Sequence, residues 1–255
     1  MRFQIFVPVT SVAGALLLAA AAPLPMAAQA GKEPATVSLF DGKSLKGWRG
    51  YKKADAAGSR WAVQDGMLML PAGDGKDTRG ARDIISEGTY DLFDLTWEWK
   101  IAEGGNSGLK YFVLEDRDSA IGHEYQMIDD ARHPDAKIGP HRQTAALYDV
   151  LAAPREIRKV KPAGEWNSSR VRVAPSRIVQ GGTRVYHYLN DVRVLEYELN
   201  SPELNAAIEK SKFKGIERFG KLQKGHILLQ DHADQVWYRN IKISRLAAGP
   251  LSAVR

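Results

Sequence analysis

The chain has 255 residues, 36 Lys and Arg against 30 Asp and Glu, and no cysteine. The lack of cysteine excludes disulfide staples, thiolate metal centres and a cysteine-borne lipid anchor, so stability must come from a hydrophobic core. The modest basic excess is spread along the chain, and its densest run, "REIRKVK" at Arg155 to Lys161, has no interleaved aromatics, which reads as a solvated loop and argues against nucleic-acid binding.

Residues 1–30 carry Arg2 as their only charge, then the apolar run "IFVPVTSVAGALLLAAAAPLPMAA" and the small-residue exit Ala28-Gln29-Ala30. This is the pattern of a cleaved secretory signal peptide. Pro8, Pro23 and Pro25 argue against a retained spanning helix, and no later stretch is apolar enough to span a membrane. The expected product is a periplasmic or secreted protein comprising residues 31–255 as one domain, with no membrane contact after cleavage.

Beyond a short polar leader come short alternating runs broken by Gly, Pro, Asn and Asp, with little helical periodicity. Strands are expected in "WAVQDGMLML", "FDLTWEWKIA", "SGLKYFVL", "HEYQMID", "SSRVRVA", "TRVYHYLN", "VRVLEYEL", "GHILLQDH" and "VWYRNIKISRL". The Asp65-Gly66 pair predicts a type I′ hairpin inside the first of these. One helix is expected, with Ser201 as N-cap, Pro202 at its first position and "ELNAAIEKSKF" following. The fold class is all-β: a two-sheet antiparallel jelly-roll sandwich with one short helix.

Strand alternation sorts the side chains into faces. Trp97, Trp99, Tyr125, Met127, Ile227 and Leu229 fall on the core side; Glu98, Lys100, Glu124, Gln126, Gln230 and His232 fall on the other. If their strands are neighbours in one sheet, the second set forms a polar surface able to do chemistry. Alternation equally allows a solvated outer sheet with charges paired across strands. Three loops add candidates: Asn106 in "GGNSGLKY", where glycines permit a tight turn or a close ligand; Trp166 and Asn167 in "KPAGEWN"; and Tyr148 in "TAALYDV". Trp166 and Tyr148 suit either a sugar face or the core, and Asn167 either a sugar hydroxyl or the start of a strand. His187 suits the sheet lining, His123 a structural position, and His133 and His141 a loop rim.

Taken in order, "LFDGKSLKGW", "WEWK", "GGNSG", "EYQMIDD", "ALYDVLAAP", "KPAGEWN", "HYLND" and "GHILLQDHADQVWYRNIKI" closely resemble the bacterial 3-keto-disaccharide hydrolase domain family, from about Ser38 to Ser244. The resemblance implies a concanavalin-like jelly roll with a carbohydrate substrate, acting on glycosides oxidised at C3. Asp191 in "HYLND" stands where the family usually has glycine, which bears on a turn.

A C3 ketone acidifies the C2 proton, so the expected reaction is proton abstraction, loss of the group on C1, and hydration of the enone. Glu124, ranked first for its amide partner on the same face, or His232 is the expected base, with Lys100, Gln126, Gln230 or a bound cation stabilising the enolate and Glu98 either the acid or a hold on Lys100. Asn106, Gln126, Tyr148, Trp166, Asn167, His187 and Gln230 are the expected substrate-binding set. Glu98, Glu124, Asp129, His226, Asp231 and His232 offer metal-type ligands without a deciding spacing, which leaves a divalent metal open. Two rivals are an ordinary retaining glycosidase using Glu98 and Glu124 as a carboxylate pair, and a carbohydrate-binding module without turnover. The sequence is silent on oligomeric state and on which sugar is bound.

Overall fold

A computed structural model of the chain describes residues 35–73 and 82–248. The expected signal peptide lies outside the described residues. Among the described residues thirteen strands and one α-helix are formed in chain order: β1 (Thr36–Ser38), β2 (Trp48–Gly50), β3 (Ala62–Gln64), β4 (Met67–Leu70), β5 (Ile84–Tyr90), β6 (Phe93–Ile101), β7 (Asn106–Val113), β8 (His123–Ile128), β9 (Asn167–Pro175), β10 (Thr183–Leu189), β11 (Val192–Glu198), α1 (Pro202–Ile208), β12 (Gly225–Leu229) and β13 (Val236–Arg245). They build two antiparallel sheets. The larger has eight strands in the order β11-β10-β9-β6-β13-β4-β3 with β1 on β13, and the smaller five in the order β2-β5-β12-β7-β8. This is the expected all-β, jelly-roll-like sandwich with one short helix.

The two sheets bury the residues assigned to the core by alternation. Trp97, Trp99, Tyr125, Met127, Ile227 and Leu229 are each at most 1% exposed. Trp97 from the large sheet meets Tyr125 from the small one edge-to-face at 4.9 Å, and its indole N–H points at Met127 Sδ. Trp99 donates to Ser169 Oγ at 2.8 Å, and Ser169 in turn donates to the Tyr125 hydroxyl at 2.8 Å. Truncating either tryptophan to alanine would cost about 3–5 kcal/mol in a core packed this closely.

Local chemistry sets the ends of the elements. Asp65 (φ 51°) and Gly66 (φ 73°) turn β3 into β4, as the Asp-Gly pair requires. Asn190 (φ 47°) and Asp191 (φ 66°) make the corresponding turn between β10 and β11, so the hairpin forms without glycine. Ser201 caps α1 by accepting the Leu204 N–H at 3.1 Å; the helix stops at Ile208, short of the expected "KSKF". Strands β1, β2 and β5 were not expected. In β5 both Ile84 and Ile85 are fully buried, so the alternation that marks a half-buried strand is absent there. No helix among the described residues is long and apolar enough to cross a membrane.

Candidate active site

Glu124 and Gln126 point to the outer side of the five-stranded sheet. Lys110 pairs with Glu124 across β7 and β8, and Gly108 pairs with Gln126. On the other flank of β7, Lys110 pairs with Leu228, and Gln230 continues that register by donating its N–H to Gly108 O at 3.0 Å. Glu124, Gln126 and Gln230 are 4%, 1% and 9% exposed, so this polar face is covered. The cover comes from two segments. One runs from Ala145 to Leu151 along the edge of β8, with the Tyr148 N–H donating to Glu124 O at 3.0 Å; the other is the stretch Lys212 to Ile216 after α1. Beside the second segment lies a cavity of about 270 Å³ lined by Lys110, Ala120, Glu124, Lys212, Phe213 and Ile216.

Glu124 is a buried carboxylate beside two lysines. Burial pushes its carboxyl above the ordinary carboxylate range; Lys110 and Lys212 pull it partly back, and Asp83 and Asp135 add to the rise. The Lys110 ammonium is 3.9 Å from Glu124 Oε2 and donates to Ala120 O at 3.1 Å. Lys212 is exposed at the cavity mouth, with its ammonium 4.1 Å from the Tyr148 ring centre. Burial lowers its pKa, an effect opposed by Glu124 and reinforced by Lys110. Tyr148 is held protonated far above neutrality by burial and then by Asp135, with Glu124 adding to the effect.

The covering segment is itself tightly specified. Ala145 (φ 65°) and Asp149 (φ 62°) both take the left-handed conformation, which costs an alanine about 1–2 kcal/mol and is repaid by bonds at either end. The Ala145 N–H donates to Gln126 O at 2.9 Å, and its carbonyl accepts from His187 Nδ1 at 2.9 Å. The Asp149 carboxylate accepts from Arg142 Nε and from the Lys212 backbone N–H, each at 2.7 Å, tying the two covering segments together. Arg142 also holds Asp135 at 2.7 Å.

Several expected site residues lie elsewhere. Glu98 and Lys100 are on β6 of the other sheet, facing away from the core, so the expected cluster with Glu124 does not form. Glu98 accepts from Arg239 at 2.7 Å and Asn240 at 2.9 Å; the penalty of its partial burial is outweighed by these bonds, and it stays below the ordinary carboxylate range. Lys100 lies over the rings of Trp237 (4.4 Å) and Trp166 (5.3 Å), and Arg239 covers Trp166 at 4.0 Å. Trp166 therefore belongs to that outer surface and not to the cavity. Asn167 is 2% exposed and spends its side-chain oxygen on Lys161 N and Asn190 Nδ2, a structural role at the start of β9. His187 is fully buried between the sheets and bonded to the Tyr111 hydroxyl at 2.8 Å, out of reach of a ligand. A Glu98/Glu124 glycosidase pair is likewise not assembled.

Asn106 and Tyr148 do lie with Glu124: Asn106 shares the outer face of β7 with Gly108 and Lys110, and Tyr148 bonds the Glu124 carbonyl through its N–H and carries the Lys212 ammonium over its ring. His232 is half-buried just past the end of β12. His123 is the expected structural histidine, bonded to Tyr197 at 2.8 Å and to the Gly220 N–H at 3.1 Å. Of the metal-type candidates, Asp129 caps a turn by accepting from Gly104 N and Ala131 N, His226 bonds Ser86 O, and Asp231 pairs with Arg60 at 3.1 Å. Among the described residues no group of three or more His, Cys, Asp or Glu side chains converges on a point fit for a metal ion.

Sequence reasoning missed Lys110, Lys212 and Asp83. Lys110 was readable from its alternation with Leu109 and Tyr111. Lys212 sits beyond the helix in a stretch whose pattern gave no sign of where it docks. Asp83 precedes β5, the strand without alternation.

A β-sandwich carrying a buried carboxylate and two lysines at a surface cavity has the groups that acid–base chemistry on a bound small molecule needs. The chain belongs to the family of the 3-keto-alpha-glucoside-1,2-lyase-like domain, whose family model matches residues 35–244. It is 35% identical over 237 residues to a 3-keto-disaccharide hydrolase of Bacteroides thetaiotaomicron, covering 82% of this chain and 78% of that protein. A crystal structure of a protein from Parabacteroides distasonis assigned as a glycosyl hydrolase superposes with a TM-score of 0.69 at 30% identity, covering 83% of this chain and 94% of the other. A second such protein from the same organism shares the fold at a TM-score of 0.59 and 24% identity, covering 83% of this chain and all of the other.

Proposed function

We propose that this enzyme cleaves the glycosidic bond of glycosides oxidised at C3, with Glu124 as the base that removes the C2 proton. The observation that carries the assignment is the burial of the Glu124 carboxylate between Lys110 and Lys212 at the cavity. A carboxylate raised by desolvation is a stronger base than one in water, and the two ammonium groups offset part of that rise.

Glu124 takes the C2 proton, and the electron pair left behind moves into a C2–C3 double bond as the carbonyl becomes an enolate. Lys110, beside Glu124, stabilises the new negative charge. The enolate collapses back to the ketone, a C1–C2 double bond forms, and the C1–O bond breaks. Lys212, at the cavity mouth with a lowered pKa, gives the departing oxygen its proton. Water added across the double bond, with its hydroxyl at C1 and a proton at C2, completes a net hydrolysis; release of the enone instead gives a lyase outcome. Tyr148 stays protonated throughout and donates to the bound sugar.

Incubating the protein with a 3-keto-glucoside and with the unoxidised glucoside, followed by NMR, tests this reading. Release of the aglycone from the oxidised sugar alone supports it. Cleavage of the unoxidised glycoside would favour an ordinary glycosidase, and sugar binding without any product a binding module.

We also infer export with removal of residues 1–30, on the apolar run and the Ala28-Gln29-Ala30 exit. Mass measurement of the protein from its host should give a chain beginning near Gly31 outside the cytoplasm; an intact leader in the membrane fraction would contradict it.

A further inference from the structure

Two stretches that stand out in the sequence and lie outside the Glu124 cavity, "WEWK" and "KPAGEWN", meet on the solvent side of the eight-stranded sheet. Lys100 pairs with Trp237 across β6 and β13, Trp237 with Met69 across β13 and β4, and Met69 with Ala62 across β4 and β3. Trp166 immediately precedes Asn167, which pairs with Trp99, so it falls in line with Lys100 at the head of β9. A single row of Trp166, Lys100, Trp237, Met69 and Ala62 thus crosses five strands. The water-facing side of such a sheet is ordinarily polar, yet this row offers two indoles and a thioether, all half-buried. The basic run from Arg155 to Lys161 ends here as well. The Lys161 N–H donates to Asn167 Oδ1 at 2.9 Å, so the fold sets beside that run the aromatics that its own sequence lacks.

Next to the row, along β6 and β9, runs a trough of about 610 Å³ whose lining includes Thr96, Glu98, Ser168, Arg170, Tyr188 and Lys242. Its charges are unevenly matched. Arg170 and Arg172 are both bonded to Asp94, and Arg239 is bonded to Glu98 and covers Trp166 at 4.0 Å, which fixes that ring. Lys100 and Lys242 have no carboxylate partner among the described residues. The Lys100 ammonium rests on the Trp237 and Trp166 rings instead, and Lys242 is exposed. Lys242 pairs with Thr96, four residues before Lys100 on β6, so the two positions are separated by roughly 13 Å along the strand. A cation resting on a surface indole is held weakly, and a carboxylate that takes it in a charge-assisted hydrogen bond frees the ring for the apolar side of a sugar. Asp94 and Glu98 line the same trough and disfavour a nucleic-acid backbone, which carries a negative charge at every residue.

We propose that this trough and its aromatic row form a second carbohydrate-binding surface, for a sugar chain that carries carboxylate groups. Trp166 and Trp237 take ring faces, Lys100 and Lys242 each take a carboxylate, and the Thr96 and Ser168 hydroxyls bond the sugar hydroxyls between them. The surface belongs to the sheet that does not carry Glu124, so it holds an acidic glycan without cleaving it.

The test titrates wild type, Lys100→Met, Trp166→Ala and Lys110→Met with an oligogalacturonate and with a neutral cello-oligosaccharide of the same length, by calorimetry at fixed ionic strength. Each variant is first checked for an unchanged melting transition. Wild type should bind the acidic chain saturably and at least about tenfold more tightly than the neutral one, the difference that one charge-assisted hydrogen bond makes. Lys100→Met should erase that preference, Trp166→Ala should weaken the binding of both chains, and Lys110→Met should bind as wild type does. Absence of saturable binding, equal affinity for the two chains in wild type, or an unchanged preference in Lys100→Met overturns the proposal. Binding lost in Lys110→Met and kept in Lys100→Met moves the acidic chain to the Glu124 cavity and overturns it too. So does tighter binding of a single-stranded oligonucleotide of equal charge, which makes the trough a nucleic-acid surface. None of these readouts depends on turnover, so the result is independent of the role assigned to Glu124.

Discussion

The Lys110 ammonium stands 3.9 Å from Glu124 Oε2 while bonded to the carbonyl of Ala120 at 3.1 Å. The contact is too long for a closed ion pair, so the ammonium remains available to a developing enolate. Lys110→Met should therefore lower kcat by about 10²–10³, the usual loss on removing a group aimed at developing charge. It should also move the acid limb of the kcat/KM profile to higher pH, because Lys110 is among the groups that pull Glu124 down. A lowered kcat with the acid limb unmoved would remove Lys110 from the neighbourhood of the base.

Lys212 is assigned to the leaving group, so its loss should depend on the aglycone. For a 3-keto-glucoside with an alkyl aglycone, Lys212→Met should reduce kcat by about a hundredfold; for a nitrophenyl aglycone, which leaves unaided, the reduction should be a few fold. Equal losses on both substrates would show that Lys212 only binds.

A buried relay makes the fold sensitive to acid. The Gly220 N–H donates to His123 Nε2 at 3.1 Å, so His123 Nδ1 must carry the proton it shares with the Tyr197 hydroxyl at 2.8 Å. Tyr197 bonds Tyr111 at 2.6 Å, and Tyr111 bonds His187 Nε2 at 2.8 Å, whose other nitrogen donates to Ala145 O. The relay runs from Gly220 to Ala145 and requires both histidines to be neutral. Burial lowers them to about 3 for His123 and about 4 for His187, against 6.5 when exposed. Because both values are depressed on folding, the unfolded chain binds more protons below pH 6.5. Stability should be complete above that pH and should fall as the pH drops toward 4, by roughly 1 kcal/mol per pH unit for each histidine. Urea midpoints at pH 7.5 and 4.5 measure the effect, and the His123→Phe, His187→Phe double variant should flatten it. An unchanged pH dependence in that variant would place the acid sensitivity elsewhere.

Asp191 sits at φ 66° in the β10–β11 turn, and Asn190 beside it at 47°. Glycine takes this conformation without a side-chain penalty, so Asp191→Gly should stabilise the protein by roughly 0.5–1 kcal/mol at neutral pH without changing activity. Urea unfolding is the measurement, and a destabilised variant would mean that Asp191 supplies a contact the turn depends on.

The faces of the strands were legible in the sequence; their partners were not. Alternation put Glu124, Gln126 and Gln230 opposite Tyr125, Met127 and Leu229, and the sheet register brings the three polar residues to the same surface. The same rule applied to Glu98 and Lys100 gave the right side of β6, but alternation says only toward or away from the core, and each of the two sheets has its own away side. His187 faces inward with Val185 and Leu189, a position where a histidine survives only because Tyr111 and Ala145 satisfy both nitrogens. Lys212 reaches the cavity through the Asp149 bond to its backbone, a contact between residues far apart in sequence that no local pattern encodes.

The rate of Glu124→Gln on a 3-keto-glucoside tests most directly whether Glu124 is the C2 base. The substitution keeps the shape of the side chain and removes its capacity to take a proton, so kcat should fall by about a hundred- to ten-thousand-fold with substrate affinity and melting behaviour nearly unchanged. His232→Ala, measured beside it, should retain more activity than Glu124→Gln. Near-wild-type turnover by Glu124→Gln together with an inactive His232→Ala would contradict the account and move the base to His232.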